Sequence, residues 1–413
     1  GRLMHYRVDA PRSLTTGTIA LPASKSISNR ALILDALTGF KSKLTNLSKA
    51  NDTALLQAML SPKRQAEKLN AGDAGTVLRF ALVYYSLIDG QHIITGTDRL
   101  MQRPMKPLVD ALKRLGGNIR KKKISDQHAM VVEGGKLKGG EVEVDGSQSS
   151  QFVSALLLCG AAMPRGLTLT LKGKIVSAPY IDMTLALLDH VGIAYQQSKS
   201  KIVIPRQAVL PFRLRVESDW SGASYLFSST ALAKPGTELL LKGLSLDSTQ
   251  GDSAIAELMK AFGVKSTQRG SDVVIRKTKT SVSKRITIDA TDFPDLVPAL
   301  AATALGLGVP VTFKGIAHLR HKESDRIEAL VETAKKFNAK AKATKTGFSI
   351  IPPTRLPDGV FVNTYDDHRM ALAFAPLALR CNELAIENTD VVKKSFPTYW
   401  SELKKLGFRL MEN

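Results

Sequence analysis

The sequence predicts an α/β fold built from a repeated unit, and three observations carry that reading. A short cluster of hydroxyl, amide and acidic residues, followed at once by a small-residue-rich apolar run, occurs six times, starting at Ser26, Asp73, Ser147, Asp219, Thr291 and Thr364. These starts are 47, 74, 72, 72 and 73 residues apart, a regularity that marks an internal repeat. Between them lies a second, amphipathic series that ends in Gly or Asn and leads into alternating segments.

Each copy of the first series reads as a helix N-terminus, because Ser, Thr, Asp and Asn satisfy first-turn amides. The run that follows has no polar face, so the helix must be buried. Its polar end is then useful only if it opens on a cavity, where free amides and the helix dipole favour anions. Six such helices aimed at one place would form an anion-binding cleft. The second series covers Pro107–Gly117, Asp182–Gly192, Ala254–Gly263, Ile327–Asn338 and Tyr399–Gly407. The repeat is therefore strand, buried helix, strand, surface helix and paired strands, such as Val131–Glu133 and Glu141–Val144. In the first copy a surface helix starts at Asp52, but Ser61-Pro62 follows with no glycine stop and no strand, and the copy is about 25 residues short.

At 413 residues the chain exceeds one core, and two or three domains are expected. With 44% hydrophobic and 23% charged residues it reads as a soluble globular protein. The longest uncharged apolar stretch, Phe152–Met163, is too short to cross a bilayer, and the first residues lack a signal-peptide core, so the cytoplasm is expected and no membrane. Cys159 and Cys381 offer neither a disulfide framework nor metal-ligand spacing, and the seven histidines are scattered, so no metal is expected. The formal charge of +21 points to anion binding. The basic residues are dispersed, apart from Lys113-Arg114 and Arg120–Lys123, and no stacking aromatics accompany them, so no nucleic-acid partner is expected.

Leu21-Pro-Ala-Ser-Lys-Ser-Ile-Ser-Asn-Arg places Lys25, Ser26 and Arg30 on the first turns of a buried helix, an arrangement that suits a phosphate or carboxylate. The segment resembles the N-terminal signature of the EPSP synthase (3-phosphoshikimate 1-carboxyvinyltransferase) family. The resemblance recurs along the chain in eight ordered motifs. Asp73-Ala-Gly-Thr-Val-Leu-Arg is similar to the family's Asn-Ala-Gly-Thr-Ala-Met-Arg, with Gly75 admitting phosphoenolpyruvate close to the backbone. Arg103-Pro104 resembles the family's phosphoenolpyruvate-binding Arg-Pro. Asp145-Gly-Ser-Gln-Ser-Ser-Gln implies Ser149, Ser150 and Gln151 as ligands of shikimate 3-phosphate, Gln151 also reaching phosphoenolpyruvate. Val176-Ser-Ala-Pro-Tyr implies Ser177 and Tyr180 on the same substrate. Asp219-Trp-Ser-Gly-Ala-Ser-Tyr resembles a capped helix at the interdomain crossover.

In the second half, Asp292-Phe-Pro-Asp implies Asp295 as general base and substrate ligand, since a carboxylate at a helix start among cations stays ionised. Leu319-Arg-His-Lys-Glu-Ser-Asp-Arg implies Lys322 on shikimate 3-phosphate, Glu323 as proton donor or acceptor, and Arg326 on phosphoenolpyruvate. Tyr365-Asp-Asp-His-Arg-Met-Ala implies Arg369 on the carboxylate, with Asp367 and His368 of second rank. Val392-Lys-Lys-Ser-Phe-Pro implies Lys394 as a phosphate ligand. Asp73 and Asp366 replace family asparagines, and His318 stands where the family carries a shikimate-binding asparagine.

The resemblance implies a two-domain inverse α/β barrel of six βαβαββ repeats, three per domain, the first truncated. It places residues 21–218 in one domain, and 1–20 with 219–413 in the other. The implied enzyme moves the enolpyruvyl group of phosphoenolpyruvate to the 5-hydroxyl of shikimate 3-phosphate, as a monomer without cofactors. Its catalytic residues are Asp295, Glu323 and Lys25, and ligands from both halves require closure. The competing expectations are a UDP-N-acetylglucosamine enolpyruvyltransferase, whose loop cysteine is missing around Arg99–Pro107, and an RNA-binding or RNA-end-processing protein on the same repeat.

Overall fold

The computed structural model describes residues 3–62, 68–147, 150–175, 178–279 and 282–412, save the side chain of Lys68. Among the described residues the strands form five four-stranded sheets and one two-stranded sheet. One four-stranded sheet shows the plan. Lys68–Asn70 runs parallel to Gly90–Thr95, which pairs antiparallel with Gln127–Gly134, which pairs antiparallel with Asn118–Ile124. A parallel pair needs a helical crossover, whereas the antiparallel pair closes through a tight turn at Ser125 and Asp126, both at positive φ. The same order of one parallel and two antiparallel pairings recurs in the other four-stranded sheets. The short first copy has only the parallel pair, Lys43–Thr45 with Arg213–Arg215. Its helix Asn51–Leu60 is present, and among the described residues its hairpin is missing.

The chain divides into two compact units, Gly1–Pro22 with Glu217–Asn413, and Ala23–Val216. Each has its own core. Within Ala23–Val216 the inner helices are α1 (Lys25–Leu37), α2 (Gly75–Leu87) and α3 (Ser150–Cys159). In the other unit they are α4 (Trp220–Leu232), α5 (Val297–Leu307) and α6 (His368–Phe374). All round burial is clearest in α4, where only Ser221 escapes the core. Small residues let these helices touch. A Cβ on Gly306 of α5 would lie 2.4 Å from a methyl of Leu232 on α4, and Thr303 bonds Ser228 across the same seam at 2.8 Å.

Two strands are exchanged between neighbours in sequence. Gly17–Ile19 leads directly into α1, yet it pairs with Glu238–Leu241 of its own unit. Arg213–Arg215 leads into α4, yet it pairs with Lys43–Thr45. The strand Tyr6–Asp9 lies between Leu384–Ile386 and Arg409–Glu412, so the start of the chain completes the last repeat. The surface helices end as expected, with Gly263 and Asn338 at φ of 83° and 65° in the left-handed turn.

The caps differ from the expectation. Ser24, Asp219 and Asp367 do accept first-turn amides of α1, α4 and α6. By contrast α2 and α5 start after Ala74 and Leu296 without a side-chain cap. Asp73 is one residue too early to cap and is exposed, while Asp295 lies in a 3-10 turn, Pro294–Leu296, and faces guanidinium groups instead. Ser149, just ahead of α3, lies outside the described residues.

Candidate active site

In the unit Glu217–Asn413 the predicted residues converge on Arg326, the first residue of a surface helix and only 1% exposed. Its Nε and Nη2 donate to the two oxygens of Asp367 at 2.8 and 3.1 Å. Nη2 also donates to Glu323 at 2.7 Å, and Nη1 lies 3.5 Å from Asp295. Asp367 is held in turn as the cap of α6 and by the hydroxyl of Ser324. From α6, Arg369 reaches Asp295 at 3.4 Å and donates to the hydroxyl of Tyr225 on α4 at 2.9 Å. Lys394 donates to Glu323 at 2.7 Å, while His368 contacts Glu323 through Nε2 at 3.4 Å and Ser395 through Nδ1.

This packing sets the protonation states. Burial works against the charge of Asp295, but Arg369, Lys322, Arg326 and His368 outweigh it and hold the carboxyl down to about 2. The His368 contact, against burial and with Lys394 and Arg326 added, holds Glu323 well below the usual carboxylate range. His368 is pushed down to about 4 by burial, against the pull of Glu323, and so is neutral near pH 7. His318 is exposed but feels Lys322 and Asp295, and partial desolvation with the Lys322 charge lowers its basicity.

In the unit Ala23–Val216 the buried cation Arg30 meets neutral partners. Arg30 is 2% exposed, and three of its five N–H groups go to Thr184 Oγ1, Ser154 Oγ and the carbonyl of Ser26, each at 2.9 Å. Its guanidinium lies 5.6 Å from the Phe80 and Tyr180 ring centres, and burial pulls its pKa down to about 10. Lys25 donates to Asp52 at 3.2 Å. At the uncapped start of α2, a Cβ on Gly75 would lie 2.5 Å from Arg79 Nη1 and 2.9 Å from Arg103 Nη1. Arg79 donates to Gln151 Oε1 at 2.6 Å. Ser150 starts α3; Ser149 and Ser177 lie outside the described residues.

Sequence reasoning overlooked Arg79, Asp52, Tyr225 and Asp252. Arg79 was legible, since it stands four residues after Gly75 on one helix face. Asp252 was not, because its link to Ser221 of α4 spans 31 residues. Burial, with Asp295 nearby, pushes Asp252 up to about 7. Among the described residues Glu323, Asp367 and His368 have ligand atoms within 4.8 Å of one another, a spacing a metal could use. Arg326 and Lys394 already neutralise these carboxylates, which makes the cluster a poor cation site.

The model of the family described as EPSP synthase (3-phosphoshikimate 1-carboxyvinyltransferase) matches residues 9–65 and 55–403. The two stretches overlap in the shortened first repeat. The chain belongs to the EPSP synthase family. It is 40% identical over 410 residues to the 3-phosphoshikimate 1-carboxyvinyltransferase of Bacteroides fragilis (strain YCH46), covering 98% of each chain. It is 33% identical over 417 residues to that of Methanopyrus kandleri, covering 95% of this chain and 96% of the relative. Among solved structures it is similar in fold to EPSP synthase from Acinetobacter baumannii, with TM-score 0.83, 21% identity and coverage of 99% and 100%. The enolpyruvyl transferase NikO from Streptomyces tendae gives TM-score 0.74 at 14% identity, covering 100% of this chain and 99% of that one. The family match decides against the sugar-nucleotide and RNA expectations. Among the described residues no helix is long and apolar enough to cross a membrane.

Proposed function

We propose that this family member transfers the enolpyruvyl group of phosphoenolpyruvate to the 5-hydroxyl of shikimate 3-phosphate by addition and elimination, with Asp295, Glu323 and Lys25 as catalytic residues. The observation that carries the assignment of roles is the ionised Asp295 beside Arg369, Arg326 and Lys322. Asp295 takes the proton of the 5-hydroxyl as the oxygen attacks C2, and C3 receives a proton from Glu323. In the free protein Glu323 is an acceptor, held so by cations. Substrate anions that draw on Lys394 and Arg326 weaken that hold and raise its proton affinity. In the elimination step Glu323 takes a proton back from C3, and the departing phosphate oxygen takes one from Lys25.

Lys25, Ser26, Arg30, Ser149, Ser150, Gln151, Ser177, Tyr180, Asp295 and Lys322 are assigned to shikimate 3-phosphate. Lys25, Gly75, Arg103, Gln151, Arg326, Arg369 and Lys394 are assigned to phosphoenolpyruvate. The cationic side chains are what support this. His318, Asp73, Asp367 and His368 stand behind these as orienting groups. Two free cysteines, one buried, suit a reducing cytoplasm, and light scattering tests the expected monomer. Phosphate release from the two substrates tests the activity, and no release with a folded protein would end the proposal.

A further inference from the structure

We propose that Arg79 is a positioning residue that fixes the Gln151 amide, and that it is the group through which Gly75 controls the affinity for phosphoenolpyruvate. A guanidinium can only donate, so its 2.6 Å bond to Gln151 Oε1 determines which way the amide is turned. The NH2 side of the Gln151 amide is thereby turned away from Arg79.

Besides that bond, two contacts keep Arg79 in place. Its guanidinium carbon stands 5.2 Å from the ring centre of Phe152, the residue after Gln151. Its Nε is buried without a hydrogen-bond partner. Its Nη1 fills the space beside Gly75 where any other residue would carry Cβ, at 2.5 Å, closer than Arg103 at 2.9 Å. Arg103 repels it, and burial with that repulsion lowers its pKa to about 10. Among the described residues no carboxylate forms an ion pair with Arg79, so its position depends on the amide, the ring and the bare glycine. A methyl at position 75 therefore meets Arg79 first. It dislodges the guanidinium and releases the Gln151 amide, before any contact with a ligand is considered.

The inference rests on the assignment of Gly75, Arg103 and Gln151 to phosphoenolpyruvate. The test is equilibrium binding of phosphoenolpyruvate, with shikimate 3-phosphate present, to Gly75→Ala, Arg79→Ala, Arg79→Met and the double variants. Each single change should weaken binding about tenfold, and Gly75→Ala should add less than twofold once Arg79 is gone. The KM for shikimate 3-phosphate should move less than that for phosphoenolpyruvate. Additive effects would overturn the proposal, because Gly75 would then act on the ligand directly. An unchanged affinity in either single variant, or binding lost altogether in both Arg79 variants, would overturn it too. Arg103→Ala measured alongside separates the failures: unchanged binding there removes the site assignment itself.

Discussion

The two units solve the problem of a buried cation in opposite ways. Arg326 is surrounded by carboxylates, with Asp367, Glu323 and Asp295 all within 3.5 Å. Arg30, equally buried, has only hydroxyls and a carbonyl. Bulk charge follows the same division. Residues 23–216 carry 28 Lys and Arg against 14 Asp and Glu, and the remainder carries 30 against 23. Isolated buried charge is costly, so a cation with neutral partners is one whose counter-ion arrives with the ligand. A cation among carboxylates instead keeps those carboxylates ionised, which is what proton transfer requires. On the roles proposed above, the half that holds Arg326 supplies Asp295 and Glu323 for proton transfer, and the half that holds Arg30 is the one suited to capturing an anion.

The sharpest break of this contrast is Asp295→Asn. Loss of the base should cut kcat by on the order of 10²–10⁴, in a protein that still unfolds cooperatively in urea at a midpoint lowered by the lost ion pairs to Arg326 and Arg369; a loss under tenfold would move the base elsewhere. Next is a matched pair. Arg326→Met strands buried Asp367, and its denaturation midpoint should report a loss of about 3–5 kcal/mol. Arg30→Met should alter stability by about 1 kcal/mol or less, because Thr184 still bonds Ser154 at 2.9 Å and the Tyr180 carbonyl at 2.8 Å. Its affinity for shikimate 3-phosphate should nevertheless fall steeply. Equal destabilisation of the two variants would erase the distinction.

Protonation gives a smaller effect with a definite sign. His368 titrates near 4 in the folded protein against its ordinary value of about 6.5. The unfolded chain therefore binds the proton more readily between those values, and stability present above pH 6.5 is lost as the pH falls toward 4. The loss is on the order of 3 kcal/mol, and Asp295 extends it from about 3.8 toward 2. Asp252, raised to about 7, works in the opposite direction over the same range, so the test is a difference: between pH 7.5 and 4.5 the urea midpoint should change less favourably in the native protein than in His368→Gln. Smallest is a local effect within the capture half. Hydrogen exchange should be faster at Leu44 and Leu214, in the two-stranded sheet, than at Ile93 and Val131 in a four-stranded one.

Much of this arrangement was readable in advance, for identifiable reasons. The repeat was legible because one structural unit imposes one period, and the missing hairpin showed as a shortened interval. Asp295, Glu323 and Arg326 were legible because their motifs are local and charged. The failures are tertiary. Asp73 has the composition of a cap, yet capping depends on where the helix starts, and α2 starts after Ala74. Arg79 itself was legible beside Gly75, but its bond to Gln151 was hidden because it spans 72 residues.

The exchanged strands impose an order on synthesis. Residues 23–216 contain every strand of their own sheets, so that unit has all its partners once Val216 has emerged from the ribosome. The first 22 residues are made before any of it, yet Tyr6–Asp9 must wait for Arg409–Glu412. At about 5–20 residues per second this is a delay of roughly 20–80 s. Gly17–Ile19 waits only for Glu238–Leu241, but Tyr6–Asp9 trails as an unpaired edge through most of that interval, open to a chaperone or to the same segment of another nascent chain.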